Sequence, residues 1–267
     1  MKSTALLNNA KFTATDYDNL RKSGQILGDC LTMIKKHVVA GATTLEIDAL
    51  CDKFIVSHGG EPNFKNYQGY KHAICASVNN ESVHGIPRKD KILKNGDIIS
   101  IDCGVRLGGM NTDMARTYAV GEIKPEAKDL IDVTKASFYA AIEGLHAGIA
   151  VKEIGKKIEK FIDGRYGIVK IYFGHGIGKT IHENPLIPNF DIDLHPPTKN
   201  VVDMANYVLC EGDIICIEPM INAGTADLML SKDGWTAITR DGDLAAHHEN
   251  TLLILKDGVE IITPCQY

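Results

Sequence analysis

The sequence predicts an α+β fold in which two similar halves share one sheet system, with helices covering one face. Three observations carry this. Residues 93–102 (L-K-N-G-D-I-I-S-I-D) return at 209–218 as L-C-E-G-D-I-I-C-I-E, at a constant offset of 116. Ala40-Gly41, Glu46-Ile47 and Lys53-Phe54-Ile55 return as Ala147-Gly148, Glu153-Ile154 and Lys160-Phe161-Ile162, at an offset of 107. Each half then reads in one order: helix, Ala-Gly turn, helix, and β-branched strands that run to an acid. Two repeats in the same order argue for duplication rather than for chance recurrence of Gly-Asp turns.

The elements follow from local signals. Residues 1–12 read as a loose arm. Leu20, Ile26, Leu27, Leu31, Ile34 and Val38 recur at helical spacing and predict a helix over 15–39, with Thr15 as N-cap and Gly41 as stop. A second helix is expected over 44–57, ended by His58-Gly59-Gly60. Short strands are expected at 73–78, 97–103 and 113–120. Pro125 opens a helix over 126–146, and another follows at 151–163. The second half offers strands at 168–173, 206–209, 213–221 and 250–256. Four prolines mark 184–204 as a surface excursion. Nothing divides the chain, so 1–267 reads as one domain with pseudo-repeats at about 15–120 and 126–256.

Composition excludes several classes. The 267 residues are 44% hydrophobic and 24% charged, with a net charge of −5, which argues against nucleic-acid binding by bulk electrostatics. No apolar run is long enough to span a membrane. The opening M-K-S-T-A-L-L-N-N has too short an apolar patch for a secretory signal. The seven cysteines form no C-x-x-C pair and read as free thiols in a reducing cytosol.

The chemistry sits in acids and histidines at strand ends. Asp102 and Glu218 close the two copies of the repeat, where a charge is costly unless paired or bound. A hairpin at 106–110 would bring Asp113 beside Asp102. Glu249 enters an apolar strand in H-H-E-N-T-L-L-I, and His175 stands between glycines in G-H-G-I-G. Taken singly, each acid is more often a cap or an ion-pair partner, and the histidine more often a surface or satisfied core residue. Together, Asp102, Asp113, His175, Glu218 and Glu249 are too oxygen-rich for a structural zinc site. They suit two divalent ions about 3.5–4 Å apart, which acidify a bridging water and polarise the carbonyl it attacks. The donor set favours Mn²⁺, Fe²⁺ or Co²⁺, with Zn²⁺ also admitted.

Asp102 in I-S-I-D-C-G, Asp113 in N-T-D-M-A-R-T, His175 in G-H-G-I-G, Glu218 in I-E-P-M and Glu249 in E-N-T resemble the five metal ligands of the methionine aminopeptidases, metallopeptidases of the pita-bread fold. The resemblance runs from about residue 15 to 264 and is closest to the short bacterial type I form. It implies two pseudo-symmetric halves with an antiparallel sheet under helices. Asp102 is implied to chelate one ion, Asp113 and Glu249 to bridge both, and His175 and Glu218 to complete the other. Glu218 is also the implied proton shuttle, His84 in V-H-G-I-P lies by the scissile amide, and His182 binds the carbonyl or oxyanion. The methionine pocket maps to Tyr67, Tyr70, Cys75 and Trp235. The implied reaction is removal of N-terminal methionine before a small second residue. Its substrates are peptides or nascent chains in the cytoplasm, with the ribosome as a candidate partner and the enzyme a monomer.

The sequence departs from the family pattern at His248 and Asn250, which flank Glu249, at Phe64 and Ile181 on the pocket rim, and in the long 184–204 stretch. The competing readings are an X-Pro-type aminopeptidase of the same fold, for which an N-terminal domain is expected, and a non-catalytic binding protein of that fold. A mononuclear iron oxygenase leaves two acids unexplained.

Overall fold

The structure, a computed structural model, describes residues 11–265. In the first half, α1 (Ala14–Ile34) and α2 (Thr44–Ser57) precede β1 (Glu61–Pro62), β2 (Ile74–Val78), β3 (Glu81–Val83), β4 (Ile98–Leu107) and β5 (Met110–Ala119). The second half has α3 (Pro125–Ile142), α4 (Lys152–Ile162), β6 (Gly167–Ile168), β7 (Gly174–Gly176), β8 (Glu183–Ile187) and α5 (Lys199–Ala205). It closes with β9 (Ile214–Ile217), β10 (Met220–Asn222), β11 (Leu228–Leu230), β12 (Ala237–Thr239), β13 (Ala245–His247), β14 (Asn250–Leu255) and β15 (Gly258–Ile261).

The two sequence repeats dock on one another within each half. Gly41 N donates to Leu93 O at 2.8 Å and Leu93 N to Ala42 O at 2.9 Å. Gly148 N donates to Leu209 O at 2.7 Å and Leu209 N to Ile149 O at 2.9 Å. Gly96 and Gly212 turn at φ 95° and 93°, which glycine adopts without a Cβ penalty. The aspartate after each glycine accepts from the backbone N–H three residues earlier, Lys94 to Asp97 and Cys210 to Asp213, both at 2.8 Å. The Gly-Asp unit is therefore a self-closing turn that launches β4 or β9.

Both launched strands are central and antiparallel to their neighbours. β4 lies between β2 and β5, and β9 between β7 and β14, in a five-stranded sheet ordered β15-β14-β9-β7-β8. Ile101 pairs with Arg116, and its repeat mate Ile217 pairs with Asn250. β5 thus corresponds to β14, and a pseudo-two-fold relates the halves. Each half has its own core. One gathers Leu27, Leu31 and Ile34 over Ile99 and Ile101; the other gathers Phe138, Ile154 and Ile158 over Ile215 and Leu252. Burying each such side chain contributes about 2 kcal/mol.

Several local expectations need correction. The N-cap of α1 is Thr13, not Thr15: its hydroxyl accepts from Asp16 N and the Asp16 carboxylate accepts from Thr13 N. The helix stops at Ile34 and a 3₁₀ turn, Lys35–His37, follows. The third helix stops at Ile142, short of 146. Of the expected arm, residues 1–10 lie outside the described residues, and Phe12 is buried beside Tyr17. Asp102 lies inside β4 rather than at its end, because the strand runs on through Val105 to the Gly108-Gly109 turn. The 168–173 strand shrinks to two residues, and 206–209 forms only a bridge from Val208 to Ala150. The 213–221 strand breaks at Glu218-Pro219 into β9 and β10. Residues 184–204 are a surface excursion only in part: 193–200 are largely exposed, whereas 185–192 fold inward. β8 is a sheet edge, where proline is tolerated, and Ile187, Phe190 and Ile192 enter the core.

Candidate active site and metal centre

The site lies where the two halves meet. On β4 and β5, Gly104 is directly opposite Asp113, so Asp102 and Asp113 stand as diagonal neighbours on one face. On the other half, β9 ends at Ile217 and Pro219 prevents its continuation, leaving Glu218 at the sheet rim. Glu249 sits just before β14, its backbone N donating to Ala115 O across the junction. His175, the centre of β7, pairs with Cys216 of β9. All five line one cavity of about 640 Å³, which His84, His182, Tyr67, Tyr70, Cys75 and Trp235 also line. The structure brings together every residue singled out in the sequence for this chemistry.

The donors present themselves as a metal site would require. Asp102, Asp113 and Glu249 offer carboxylate oxygens mutually within 4.8 Å, as do His175 and Glu249 together with the Cys216 thiol. Asp102 Oδ1 and Glu249 Oε1 are buried with no hydrogen-bond partner. Orphaned anionic oxygens are costly unless a cation completes them. His175 Nδ1 lies 2.9 Å from Gly176 O and must carry the proton, since a carbonyl only accepts. That leaves His175 Nε2 as a lone-pair donor, 3.7 Å from Glu218 Oε1. The chemistry of this set fits hard or borderline divalent ions.

Burial dominates the protonation of the cluster. It pushes Asp102 up to about 7. Burial, reinforced by the neighbouring carboxylates, holds Asp113, Glu218 and Glu249 well above the usual range. Burial depresses His84 to about 4 and His175 to about 3, and it lowers His182. These imidazoles are neutral at neutral pH.

Beside the acids lies an apolar pocket. Phe64, Tyr70, Cys75 and Ile181 cluster with Tyr67, Ile86 and Trp235. Cys75 of β2 pairs directly with Asp102 of β4, fixing the pocket to the acid cluster. The Tyr70 hydroxyl donates to Ile74 O at 2.8 Å, and its ring lies 5.1 Å from that of Trp235. Tyr67 Oη is 2.9 Å from His182 Nδ1. His84 holds φ 60°, a left-handed conformation rare outside glycine, and presents its ring to Tyr172 at 5.0 Å.

The chain matches the model of metallopeptidase family M24 over residues 18–256. Methionine aminopeptidase from Clostridium acetobutylicum is 42% identical over 94% of this chain and 97% of its own, and methionine aminopeptidase 1 from Bacillus subtilis is 38% identical over 91% and 94%. This chain belongs to the methionine aminopeptidases of that metallopeptidase family. A crystal structure of methionine aminopeptidase from Thermotoga maritima superposes with a TM-score of 0.88 at 35% identity, covering 95% of this chain and 98% of that one. The fold is the pita-bread fold of this family. Prolidase from Pyrococcus furiosus shares it at 22% identity and TM-score 0.73, and this chain spans 65% of that protein. At that identity the likeness shows the fold alone.

The two residues that flank Glu249 have distinct jobs. His248 turns from the cavity and packs 5.1 Å from the Phe138 ring of α3. Asn250 accepts from Arg116 Nη2 at 2.9 Å and donates to Thr263 O and Oγ1. His247 and Tyr172 line the cavity, although nothing in the sequence singled them out. The signal for His247 was its i, i+2 relation to Glu249, which places both on one face of an extended chain. Tyr172 left no such signal.

Proposed function

We propose that the chain removes the N-terminal methionine from peptides and nascent proteins with a small second residue by hydrolysing the first peptide bond. The observation that supports this is the direct pairing of Cys75 with Asp102, which sets an apolar pocket lined by aromatic rings and a thiol against the carboxylate cluster. An unbranched thioether suits that lining of rings and sulfur. Asp102, Asp113, His175, Glu218 and Glu249 would hold two divalent ions drawn from Co²⁺, Mn²⁺, Fe²⁺ or Zn²⁺. Such ions supply Lewis acidity and an acidified water as nucleophile.

The residues of the chain do the rest. Glu218, whose carboxyl is held protonated more readily than usual by burial and its neighbours, takes the proton of the attacking water on its carboxylate and passes it to the leaving amine. In the tautomer with the proton on His182 Nε2, the Tyr67 hydroxyl 2.9 Å away donates to Nδ1, and Nε2–H donates to the substrate carbonyl oxygen as negative charge develops. His84, neutral and strained, donates at the scissile amide. We place the reaction in the cytoplasm, with the chain acting as a monomer on emerging N-termini, at or away from the ribosome.

The test loads the protein with Mn²⁺, Fe²⁺ or Co²⁺ and offers Met-Ala-Ser, Met-Lys-Ser and Ala-Pro-Ala. Methionine should be released from the first alone. Cleavage of Ala-Pro-Ala instead would favour the X-Pro reading, and no metal-dependent release from any peptide would refute the peptidase assignment.

A further inference from the structure

His247 has no place in the five-ligand set, yet the fold gives it the position of one. Asp113 N donates to Thr251 Oγ1 at 2.8 Å, and that hydroxyl donates back to Asp113 O at 2.9 Å. On the other half, His247 N donates to Thr117 Oγ1 at 2.9 Å, and that hydroxyl donates back to His247 O at 3.0 Å. The pairing that equates Ile101 with Ile217 and Arg116 with Asn250 also equates Thr117 with Thr251 and Asp113 with His247. His247 is the pseudo-two-fold counterpart of Asp113, as Glu218 is of Asp102.

The side chain is also aimed at the site. His247 is 2% exposed, lines the cavity, and leaves Nε2 without a hydrogen-bond partner. That nitrogen lies 3.8 Å from Glu218 Oε2 and 3.9 Å from Glu249 Oε2. His175 Nε2 reaches the same Glu218 carboxylate at 3.7 Å through its other oxygen. Donors each about 2.1 Å from one ion lie only slightly closer together than this. A buried imidazole nitrogen with no partner, facing two carboxylates, is costly unless it meets a cation or a proton donor.

Resting on the dinuclear methionine aminopeptidase reading above, we infer that His247 Nε2 is a sixth protein ligand of the metal centre. It binds the ion held by His175 and Glu218, which therefore carries two imidazoles. A second nitrogen donor makes that ion's site more selective for Co²⁺ over Mn²⁺, because imidazole affinity rises along that series while carboxylate sites discriminate less.

The probe is Co²⁺ alone, added to the metal-free full chain. Proton NMR of the Co²⁺ protein should show exchangeable, hyperfine-shifted imidazole N–H signals, and His247→Gln should show one fewer. Equilibrium dialysis should show Co²⁺ affinity falling at least tenfold in His247→Gln, with Mn²⁺ affinity falling less. His247→Asn should repeat the loss. Circular dichroism of the metal-free variants checks that they fold, and extended X-ray absorption of wild-type Co²⁺ protein counts imidazoles without any variant. Bound Co²⁺ with a single imidazole in the wild type, or an unchanged spectrum in folded His247→Gln, overturns the inference and leaves the dinuclear reading standing. Failure of the wild-type chain to bind Co²⁺ at all overturns both.

Discussion

The Arg116 guanidinium donates to the side-chain oxygen of Asn250, the residue that occupies its own position in the other half of the fold. The same guanidinium donates to Ala115 O and Glu249 O, so one buried cation ties β5 to the strand that delivers a candidate metal ligand. Arg116→Ala should therefore cost about 3 kcal/mol of stability, since it strands several buried acceptors at once. Chemical denaturation would measure it, and a loss under about 1 kcal/mol would show that the junction holds without this residue. Asn250→Ala, which removes one acceptor and two donations to Thr263, should cost less.

Glu218→Gln keeps the shape of the side chain but removes its capacity to accept a proton. Turnover of Met-Ala-Ser should fall about 10²–10⁴-fold, the usual worth of a positioned acid–base group. Metal should still bind through the remaining ligands, so equilibrium dialysis separates loss of shuttle from loss of site. Turnover near the wild-type rate would end the shuttle assignment.

Phe64 packs in the cluster with Tyr70, Cys75 and Ile181, on the rim of the apolar pocket. Phe64→Ala widens the pocket. The KM for methionine-first peptides should rise about tenfold, consistent with the modest discrimination available to apolar pockets. Peptides beginning with leucine should gain turnover. Steady-state kinetics on Met-Ala-Ser and Leu-Ala-Ser decide it; an unchanged ratio of kcat/KM between them places Phe64 outside the specificity pocket.

Much of this architecture was legible because duplication leaves spacing intact. The Gly-Asp turns at 96–97 and 212–213 could be recognised as one device, since their backbone geometry demands a glycine and their closure demands a side-chain acceptor. What misled was information carried by neighbours rather than by the chain itself. Pro185 looked like a loop residue because sequence does not reveal that β8 is a sheet edge. Asp102 looked terminal because the apolar run stops there, whereas pairing with β5 carries the strand to Leu107. His247 was indistinct beside His248 until the exchange of bonds with Thr117 fixed which imidazole faces the acids.

The acid cluster also dictates how the protein responds to losing metal. The carboxyls of Asp102, Asp113, Glu218 and Glu249 titrate higher in the folded metal-free chain than in the unfolded one, because burial, and for the last three also repulsion from neighbouring carboxylates, disfavours their charge. Stability from a raised pKa is fully present below the unfolded value and is lost as pH rises through the folded one. The buried imidazoles of His84, His175 and His247 titrate lower than unfolded, at about 4, 3 and 3, so their contribution is present above about 6.5 and lost as pH falls. Between about pH 4 and 6.5 the two sets oppose each other. Above pH 7 these imidazoles are neutral in both states, so within the site's acid and imidazole sets only the carboxyls still differ. Chelator-treated protein should therefore lose stability from pH 7 to 8, by about 1.4 kcal/mol per pH unit for each proton the folded site retains. Divalent ions replace those protons, so the Tm difference between loaded and stripped protein should widen over the same interval. Calorimetric titration with Co²⁺ in buffers of different ionisation enthalpy should register proton release on binding at pH 7. A stripped protein equally stable at pH 7 and 8, with no protons released, would mean the four acids are already ionised in the empty site.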